Sequence, residues 1–249
     1  MKTSENTILI TGGGSGIGFE TTKLLSELGN TVILVGRNKE KLEAAAEKLH
    51  NVYFIAADVT SEKDVNELVD TIYKTFPRLN VLMNNAGRAT IHDVSKSLDG
   101  ATIAREEMET NYFAVLNLTN KLMPLLKKQN ESAIINVSSV VAFAHGLSLP
   151  TYSASKAALH SYTQALRLSL KRDSNVKVFE LMPPFVDTEF ASEFHSVHKI
   201  SPYSVAEVLV QSLAIDRYEV RVASAEQLYN TYLSQADKAV LALNGLALN

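Results

Sequence analysis

Short apolar runs and longer amphipathic segments alternate along the whole chain. Seven runs of strand length are rich in β-branched and other apolar residues, as expected for strands buried on both faces of a parallel sheet; they cover 7–11, 31–35, 51–57, 80–83, 132–137, 175–181 and 219–223. The remaining segments have apolar residues at helical spacing, over about 19–28, 39–49, 62–76, 102–129, 151–172, 202–215 and 225–243. This alternation predicts an α/β fold, a doubly wound, seven-stranded, mainly parallel sheet with helices on both faces.

Length and composition narrow the class of protein. The chain has 249 residues, 46% of them hydrophobic, and no linker or repeat, which predicts one domain over 1–249. A net charge of −3 without a basic run gives no reason to expect a nucleic-acid partner. The absence of cysteine excludes disulfides, thiolate metal sites and a cysteine nucleophile. The polar start and the lack of any apolar run of about 18 residues argue against a signal peptide and a membrane span, so we expect a soluble cytoplasmic protein.

The first strand leads directly into a glycine-rich turn and then a helix. The turn is Gly12-Gly13-Gly14-Ser15-Gly16-Ile17-Gly18, and its fixed points are Gly12, Gly16 and Gly18. Glycines let the backbone approach a phosphate closely, and a helix N-terminus offers free N–H groups at the positive end of its dipole. We therefore expect these glycines, with Ser15 and Ile17, to bind a dinucleotide in a Rossmann-like arrangement. An ordinary turn into a helix is the alternative.

The end of the second strand bears on the choice between NAD and NADP. Dinucleotide-binding folds often place an acidic residue there to hold the adenosine ribose hydroxyls. This chain has Gly36-Arg37-Asn38 instead. Because a guanidinium pairs with a 2′-phosphate through two hydrogen bonds and opposite charge, Arg37 and Asn38 predict a preference for NADP(H) over NAD(H). A solvated surface arginine is the alternative.

Polar and small residues also follow the third and fourth strands, at the sheet edge where open α/β folds bind ligands. Asp58 and Val59 follow the third strand. Asp58 could accept a hydrogen bond from an adenine amino group, and a turn that enters the next helix explains it equally well. Asn85-Ala86-Gly87 follows the fourth strand, where small residues permit a cofactor to approach closely. We expect all five residues to contact the dinucleotide.

The sixth strand ends in a proline-containing loop, Met182 to Thr188. We expect Pro183, Val186 and Thr188 to lie beside the cofactor, with Thr188 within reach of the nicotinamide amide. A rigid exit from the strand is the alternative.

Residues at about 189–215 are predicted to cover a substrate pocket. His195-x-x-His198 lies there without a third ligand, so we expect no metal site. The loops after the strands predict an apolar pocket, with candidate lining residues Phe143, Leu147, Phe185, Phe190 and Phe194; His145 is either a polar exception among them or an exposed loop residue.

The stretch from Asn136 to Lys156 carries the strongest indication of proton chemistry. A strand ends at Ser139, and on the helix that follows Tyr152 and Lys156 are four residues apart, on one face. An ammonium beside a phenol favours the phenolate, so we expect Lys156 to lower the pKa of Tyr152 and make it an acid and base near neutral pH. Ser139 could hydrogen-bond the substrate oxygen. A pair of half-exposed helix neighbours without chemistry is the alternative for the isolated motif.

Taken together, these motifs resemble the short-chain dehydrogenase/reductase family, in its short single-domain branch. The matching residues are Thr11-Gly12-x-x-x-Gly16-x-Gly18, Asn84-Asn85-Ala86-Gly87, Asn111, Ser139 and Tyr152-x-x-x-Lys156. The resemblance is strong from Thr7 to about Thr188 and weaker beyond. Pro184 departs from it, since the family usually has glycine there.

The resemblance implies a role for each catalytic residue. Tyr152 would be the general acid/base, and Lys156 would lower its pKa and hold the nicotinamide ribose hydroxyls. Ser139 would orient and polarise the substrate oxygen, and Asn111 would support a water relay from Lys156. The chain would then be an NADP(H)-dependent carbonyl reductase or alcohol dehydrogenase acting on a small molecule.

The resemblance also concerns assembly and subgroup. Family members usually pair through the long helices that carry Asn111 and Tyr152, which implies a homodimer or homotetramer. The Pro-Pro-x-Val-Asp-Thr sequence and the Gly36-Arg37 pair are similar to a bacterial subgroup, some of whose members are labelled as companions of teichoic acid D-alanylation. Two other functions stay open: a regulator that senses NADPH without turnover, and an epimerase or dehydratase, which usually has a larger C-terminal domain.

Overall fold

The computed structural model describes residues 1–96, 98–193 and 198–245. Its strands are β1 (Thr7–Thr11), β2 (Thr31–Gly36), β3 (Val52–Ala56), β4 (Val81–Asn84), β5 (Ser132–Val137), β6 (Val176–Met182) and β7 (Glu219–Arg221). Its α-helices are α1 (Gly16–Glu27), α2 (Lys39–Ala46), α3 (Glu62–Thr75), α4 (Gly100–Met108), α5 (Ala114–Lys127), α6 (Pro150–Asp173), α7 (Pro202–Ala214), α8 (Ser224–Ser234) and α9 (Ala236–Leu243).

The strands form one sheet in the order β3-β2-β1-β4-β5-β6-β7, and all the pairs between them are parallel. The predicted α/β fold is therefore confirmed. The strand order reverses between β1 and β4, and in open α/β sheets such a reversal opens a crevice at the carboxyl ends of the strands. The glycine turn after β1 and the Asn85-Ala86-Gly87 segment after β4 border this crevice.

Apolar side chains alternate between the two faces of the sheet. On β1, Ile8 and Ile10 belong to a buried cluster shared with α1, α2 and α7, whereas Leu9 belongs to a second cluster shared with α3, α5 and α6. Successive strand residues point to opposite faces, so a strand covered on both sides must be apolar throughout. This is why β1 and its neighbours have continuous apolar sequences.

Two predicted helices are interrupted. The helix expected over 102–129 is α4 and α5 joined by a π-helical turn at Glu109–Phe113, which contains Asn111. The helix expected over 225–243 breaks at Gln235, whose φ of −151° and ψ of 76° are not helical, and continues as α9. Periodicity could not reveal either break, because the apolar spacing continues across both.

Within the described residues, no helix is long and apolar enough to cross a lipid bilayer. The same residues contain no cluster of three or more histidine and carboxylate side chains suited to hold a metal ion. Of the pair His195 and His198, His195 lies outside the described residues.

Candidate active site

The turn between β1 and α1 is shaped by backbone conformations that favour glycine. Gly12 and Gly16 have φ of +65° and +55°, in the left-handed region. A Cβ on Gly18 would lie 2.5 Å from the carbonyl oxygen of Gly12, so this helical residue must lack a side chain for the turn to close. Ser15 is the N-cap residue of α1 but makes no capping bond with its side chain. Ser15 and the first residues of α1, Gly16 and Ile17, line the crevice, where a helix N-terminus offers hydrogen-bond donors.

Thr11 and Asn85 fasten this turn to the end of β4. The Thr11 hydroxyl oxygen accepts hydrogen bonds from the backbone N–H groups of Asn85 and Ala86, both at 3.0 Å. The Asn85 side-chain amide donates to the carbonyls of Thr11 and Gly12, at 3.0 and 3.1 Å. Asn85, predicted to contact the cofactor, thus has its amide N–H groups bonded to the turn. Sequence reasoning used Thr11 only as part of a motif and missed that it joins two strand ends.

One arm of the crevice runs along the ends of β2 and β3. Its lining includes Arg37, Asn38, Asp58 and Val59, all predicted cofactor residues, and also Lys41. Arg37 is exposed, and among the described residues its guanidinium makes neither an ion pair nor a hydrogen bond. Arg37 is therefore free to bind an anion at the position where the sequence predicts the 2′-phosphate.

Asn38 and Asp58 have local structural partners that the functional prediction did not include. The Asn38 side-chain oxygen accepts from the Lys41 backbone N–H at 2.8 Å and caps α2. An Asp58 carboxylate oxygen accepts hydrogen bonds from the Thr60 N–H and hydroxyl, at 2.9 and 2.7 Å. These bonds agree with the alternative explanation of Asp58 as a residue of the turn that enters the next helix. Both residues still line the crevice, but these oxygens are occupied.

The other arm of the crevice is a cavity of about 230 Å³ that contains the predicted catalytic tyrosine, serine and lysine. Ser139 and Tyr152 are each 8% exposed and Lys156 is 3% exposed, so the three polar groups are largely shielded from water. The other lining residues come from the glycine turn, from 85–87, from the end of β5 and from the segment after β6; they include Gly12, Ser15, Gly16, Ile17, Ala86, Gly87, Pro183, Pro184, Val186 and Thr188.

Burial changes the proton affinity of Tyr152 in the direction opposite to the prediction. Removal of the phenol from water raises its pKa above the ordinary value, the side chain of Ser139 acts in the lowering direction, and the nearby Glu107 carboxylate adds to the rise. The expected lowering by Lys156 is therefore wrong for this structure. The ammonium lies over the ring face, 5.6 Å from its centroid, and donates to a backbone carbonyl rather than to the phenol.

Lys156 is held by the end of β5. Its Nζ donates to the carbonyl oxygen of Val137 at 2.8 Å. Burial lowers the pKa of Lys156 to about 8, and the charge of Glu180 acts in the opposite direction. The charge of Lys156 is thus sensitive to pH in the physiological range.

Asn111 lies in the π-helical turn and is completely buried. Its side chain donates to the Arg88 carbonyl at 2.8 Å and to the Ser155 hydroxyl at 2.9 Å, and accepts from the Arg88 N–H at 2.8 Å. The Asn111 side chain lies near Lys156. A Cβ placed on Gly87 would be 3.4 Å from the Asn111 side-chain oxygen, Oδ1, and 3.8 Å from Lys156 Nζ. π-Helical turns inside α-helices are frequent at functional sites.

The segment after β6 closes one side of the cavity. The Pro183 carbonyl accepts from the Val140 N–H at 3.2 Å, and Val186 forms a bridge with Ile200. Thr188 packs its methyl group against the glycine turn, 3.0 Å from where a Cβ of Gly16 would stand. The segment therefore contacts the glycine turn from the opposite side of the crevice.

The predicted apolar lining is only partly found. Phe185 and Phe190 line the cavity, and the Phe190 ring centroid is 6.0 Å from that of Tyr152. Phe143 was wrongly assigned to the cavity, since it is buried against Tyr229 and Tyr232 of α8. Local sequence patterns could not predict that α8 covers this loop.

The other predicted lining residues differ as well. Leu147 is exposed, and so is His145, which agrees with its alternative as a loop residue. Phe194 lies outside the described residues.

Glu107 of α4 was not singled out from the sequence. It is completely buried, and one carboxylate oxygen accepts from the Thr90 N–H at 2.8 Å, while the other has no hydrogen-bond partner among the residues that the structure describes. Its charge disfavours the phenolate of Tyr152. A glutamate in a charged amphipathic helix gives no sequence signal that would distinguish it from a surface residue.

The doubly wound sheet and the glycine turn at its switch point define a dinucleotide-binding α/β protein. The family model described as "short chain dehydrogenase" matches residues 6–198. The chain therefore belongs to the short-chain dehydrogenase family of oxidoreductases.

Two bacterial relatives support the predicted subgroup. The chain is 43% identical over 188 residues to the protein described as uncharacterized oxidoreductase DltE of Bacillus subtilis strain 168, covering 76% of this chain and 74% of the relative. It is 33% identical over 215 residues to an uncharacterized oxidoreductase of Staphylococcus aureus strain USA300, covering 84% and 91%. The predicted resemblance to a DltE-like subgroup is confirmed.

Two solved structures share the fold over most of their length. A short chain dehydrogenase from Burkholderia cenocepacia J2315 in complex with NADP has a TM-score of 0.86 and 28% identity, covering 98% of this chain and 99% of the other. A 3-ketoacyl-(acyl-carrier-protein) reductase from Brucella melitensis complexed with NADH has a TM-score of 0.79 and 27% identity, covering 85% and 91%.

Proposed function

We propose that this protein is an NADP(H)-dependent oxidoreductase that interconverts a carbonyl compound and an alcohol, with Tyr152 as the general acid/base. The observation that carries the proposal is the cavity in which Ser139, Tyr152 and Lys156 lie next to the glycine turn. A proton donor and a site for a nucleotide are thus neighbours, as a hydride-transfer enzyme requires.

The crevice fits a nicotinamide dinucleotide. Its two arms share Gly12, Ser15, Ala86 and Gly87, so they form one continuous cleft from Arg37 to Lys156. The backbone of the turn lacks side chains where a pyrophosphate would approach, and the N-terminus of α1 supplies donors. When bound, the nicotinamide supplies or accepts the hydride. The similar dehydrogenases hold NADP in one case and NADH in the other, so they support this class of cofactor without deciding between the two.

The preference for NADP(H) rests on Arg37. The guanidinium is exposed in the adenosine arm and has no carboxylate partner among the described residues. A free guanidinium at this position binds a phosphate strongly, whereas the uncharged ribose of NAD(H) gains much less from it.

The residues of the cavity divide the proton chemistry between them. In carbonyl reduction, Tyr152 donates the proton to the substrate oxygen, and its raised pKa keeps it in the acid form needed for this step. Ser139, whose hydroxyl lies beside the phenol, orients and polarises that oxygen. Lys156, which is charged below its pKa of about 8, holds the nicotinamide ribose hydroxyls, and Asn111 supports a water relay from Lys156.

The proposal also includes the substrate class, the segment beside the cavity, the cellular location and the oligomeric state. The aromatic rings of Phe185 and Phe190 favour an apolar carbonyl compound in the cavity. Of the predicted covering segment at about 189–215, Phe190 and Ala191 line the cavity, whereas Val205 and Leu209 of α7 belong to the buried core. We include a single domain over 1–249, a cytoplasmic location and a homodimer or homotetramer, as the composition and the family resemblance indicate.

The experiment that tests this function is a titration of purified protein with NADPH and with NADH, followed by nicotinamide fluorescence under direct excitation. We expect tighter binding of NADPH. Arg37→Ala should weaken NADPH binding roughly tenfold or more, because a charge-assisted bond is lost, and should change NADH binding little. Arg172→Ala, an exposed arginine at the end of α6, is the matched control.

Three other outcomes would change the proposal. Equal losses for both cofactors in Arg37→Ala would make Arg37 structural and remove the basis for NADP(H). Binding of neither cofactor by the unmodified protein would contradict the nucleotide site itself. Tight NADPH binding without oxidation of NADPH by a broad panel of carbonyl compounds would favour the NADPH-sensing regulator.

A further inference from the structure

A buried glutamate that is not among the cavity-lining residues contacts the two elements that hold Lys156. Glu180, on β6, is completely buried. Its carboxylate accepts a hydrogen bond from the Ser138 hydroxyl at 2.5 Å and contacts His160 Nδ1 at 2.9 and 3.0 Å through its two oxygens. We call these three residues the Glu180 cluster.

The Glu180 cluster is attached to the same two elements that hold Lys156. Lys156 donates to the carbonyl of Val137, and the next residue of that segment, Ser138, donates to Glu180. On α6, His160 follows Lys156 by four residues, which is one helical turn. The Glu180 carboxylate is therefore bonded to Ser138, which directly follows Val137, and to His160, which lies one helical turn after Lys156.

The arrangement does not fit nucleophilic catalysis. A serine nucleophile that a histidine activates donates its hydrogen bond to the imidazole, but the Ser138 hydroxyl donates to the Glu180 carboxylate instead. Ser138 is also only 2% exposed. Glu180 and His160 are not among the described residues that line the substrate cavity. Ser138 does line the cavity, so an effect of Glu180 on the reaction passes either through Ser138 or through the charge of Lys156, and the experiments below measure Lys156 directly.

The charges around the cluster favour such an effect. Burial disfavours the ammonium of Lys156, and the Glu180 carboxylate opposes this. The hydrogen bond with Glu180 raises the pKa of His160 against the effect of burial; Glu219 of β7 adds to the rise and Arg167 of α6 opposes it. Because a protonated His160 neutralises the carboxylate, the support that Glu180 gives to Lys156 depends on the charge of His160.

We propose that Glu180, held by Ser138 and His160, is a positioning residue that keeps Lys156 charged and directed toward the catalytic cavity. His160 is only partly buried and connects this carboxylate to solvent. The consequence for turnover rests on the proposed function, whereas the coupling between the two residues is measurable without any substrate.

The test is an NMR titration of the protein labelled with 13C at the lysine ε-carbon. Lys156→Arg identifies the Lys156 resonance. Glu180→Gln should lower the pKa of Lys156 by about one unit, because an opposite charge in a buried site is removed. Glu131→Gln, which removes a carboxylate paired with Lys177 far from the cavity, should leave it unchanged. An unchanged Lys156 pKa in Glu180→Gln would overturn the proposal.

His160→Asn separates charge from structure. Asparagine keeps a hydrogen-bond donor for Glu180 but cannot be protonated, so we expect the pKa of Lys156 to stay the same or rise. In the unmodified protein, the Lys156 resonance should show a second inflection where His160 titrates, and this should vanish in His160→Asn. A single inflection in the unmodified protein would contradict the coupling, even if Glu180→Gln did not fold.

Turnover provides the functional readout. If the protein reduces carbonyl compounds with NADPH, the fall of kcat/KM at high pH should begin at lower pH in Glu180→Gln than in Glu131→Gln. If the NMR shift is found but NADPH does not bind, the positioning role stands and the proposed function fails. If NADPH turnover is found without the shift, the proposed function stands and the positioning role fails.

Discussion

Tyr152 and Lys156 lie one turn apart on α6, and burial favours the uncharged form of both. Withdrawal from water raises the pKa of the phenol and lowers that of the ammonium. The resting site therefore favours a protonated phenol beside an ammonium whose pKa is about 8.

The first residue-scale prediction concerns the hydroxyl of Tyr152. Tyr152→Phe should reduce kcat at least ~100-fold, because general acid catalysis is lost. NADPH affinity should remain within about twofold, since a lost neutral contact is a small part of dinucleotide binding. Steady-state kinetics and a fluorescence titration check both expectations.

Tyr162→Phe is the control for Tyr152→Phe. Tyr162 also lies on α6, half-buried, and its ring packs against Tyr112 rather than into the cavity. We expect its activity to be normal. Full activity of Tyr152→Phe would refute the assignment of the general acid.

At the scale of elements, the strand–turn–helix unit of β1 and α1 depends on the absence of one side chain. A Cβ on Gly18 would lie 2.5 Å from the Gly12 carbonyl oxygen and 2.7 Å from the amide nitrogen of Asn85. The same amide bonds the turn to β4, so a displacement here affects both strand ends.

Gly18→Ala should therefore lower the melting temperature and weaken dinucleotide binding. Gly100→Ala is the matched control, because Gly100 begins α4 and a Cβ there meets nothing within 4 Å. It should leave binding unchanged and stability equal or slightly higher, by up to about 1 kcal/mol, since alanine is the better helix former. Thermal unfolding with and without NADPH measures both effects. Equal behaviour of the two variants would show that the turn tolerates a side chain.

For the whole molecule, the outer faces of the long helices expose apolar side chains. Phe113, before α5, is 50% exposed and Leu168 of α6 is 68% exposed. The proposed homodimer or homotetramer would use these helices as its subunit contact, and burial of such residues would stabilise it.

Leu168→Glu should thus shift a homodimer or homotetramer toward smaller species in size-exclusion chromatography with light scattering. Leu233→Glu, which places the same charge on an equally exposed leucine of α8, should not. If both variants keep the mass of the unmodified protein, the contact does not involve Leu168.

The accuracy of the sequence predictions varied with the range of the interactions involved. The seven strands and their mainly parallel arrangement followed from apolar runs that alternate with helices, because a strand covered on both faces has no polar side. The break at Gln235 was missed because apolar spacing carries no information about backbone dihedral angles. Phe143 was misplaced because its neighbours on α8 are about 90 residues away in sequence.

By itself, the sequence determined the α/β fold, the family, the glycine turn and the placement of Ser139, Tyr152 and Lys156 in one cavity. These follow from local patterns and from the rule that parallel strands end at one edge of a sheet. Only the tertiary structure decided the electrostatics: the raised pKa of Tyr152 and the buried carboxylates Glu107 and Glu180. Proton affinity depends on solvent exclusion and on charges brought together from distant segments, and neither is encoded in local spacing.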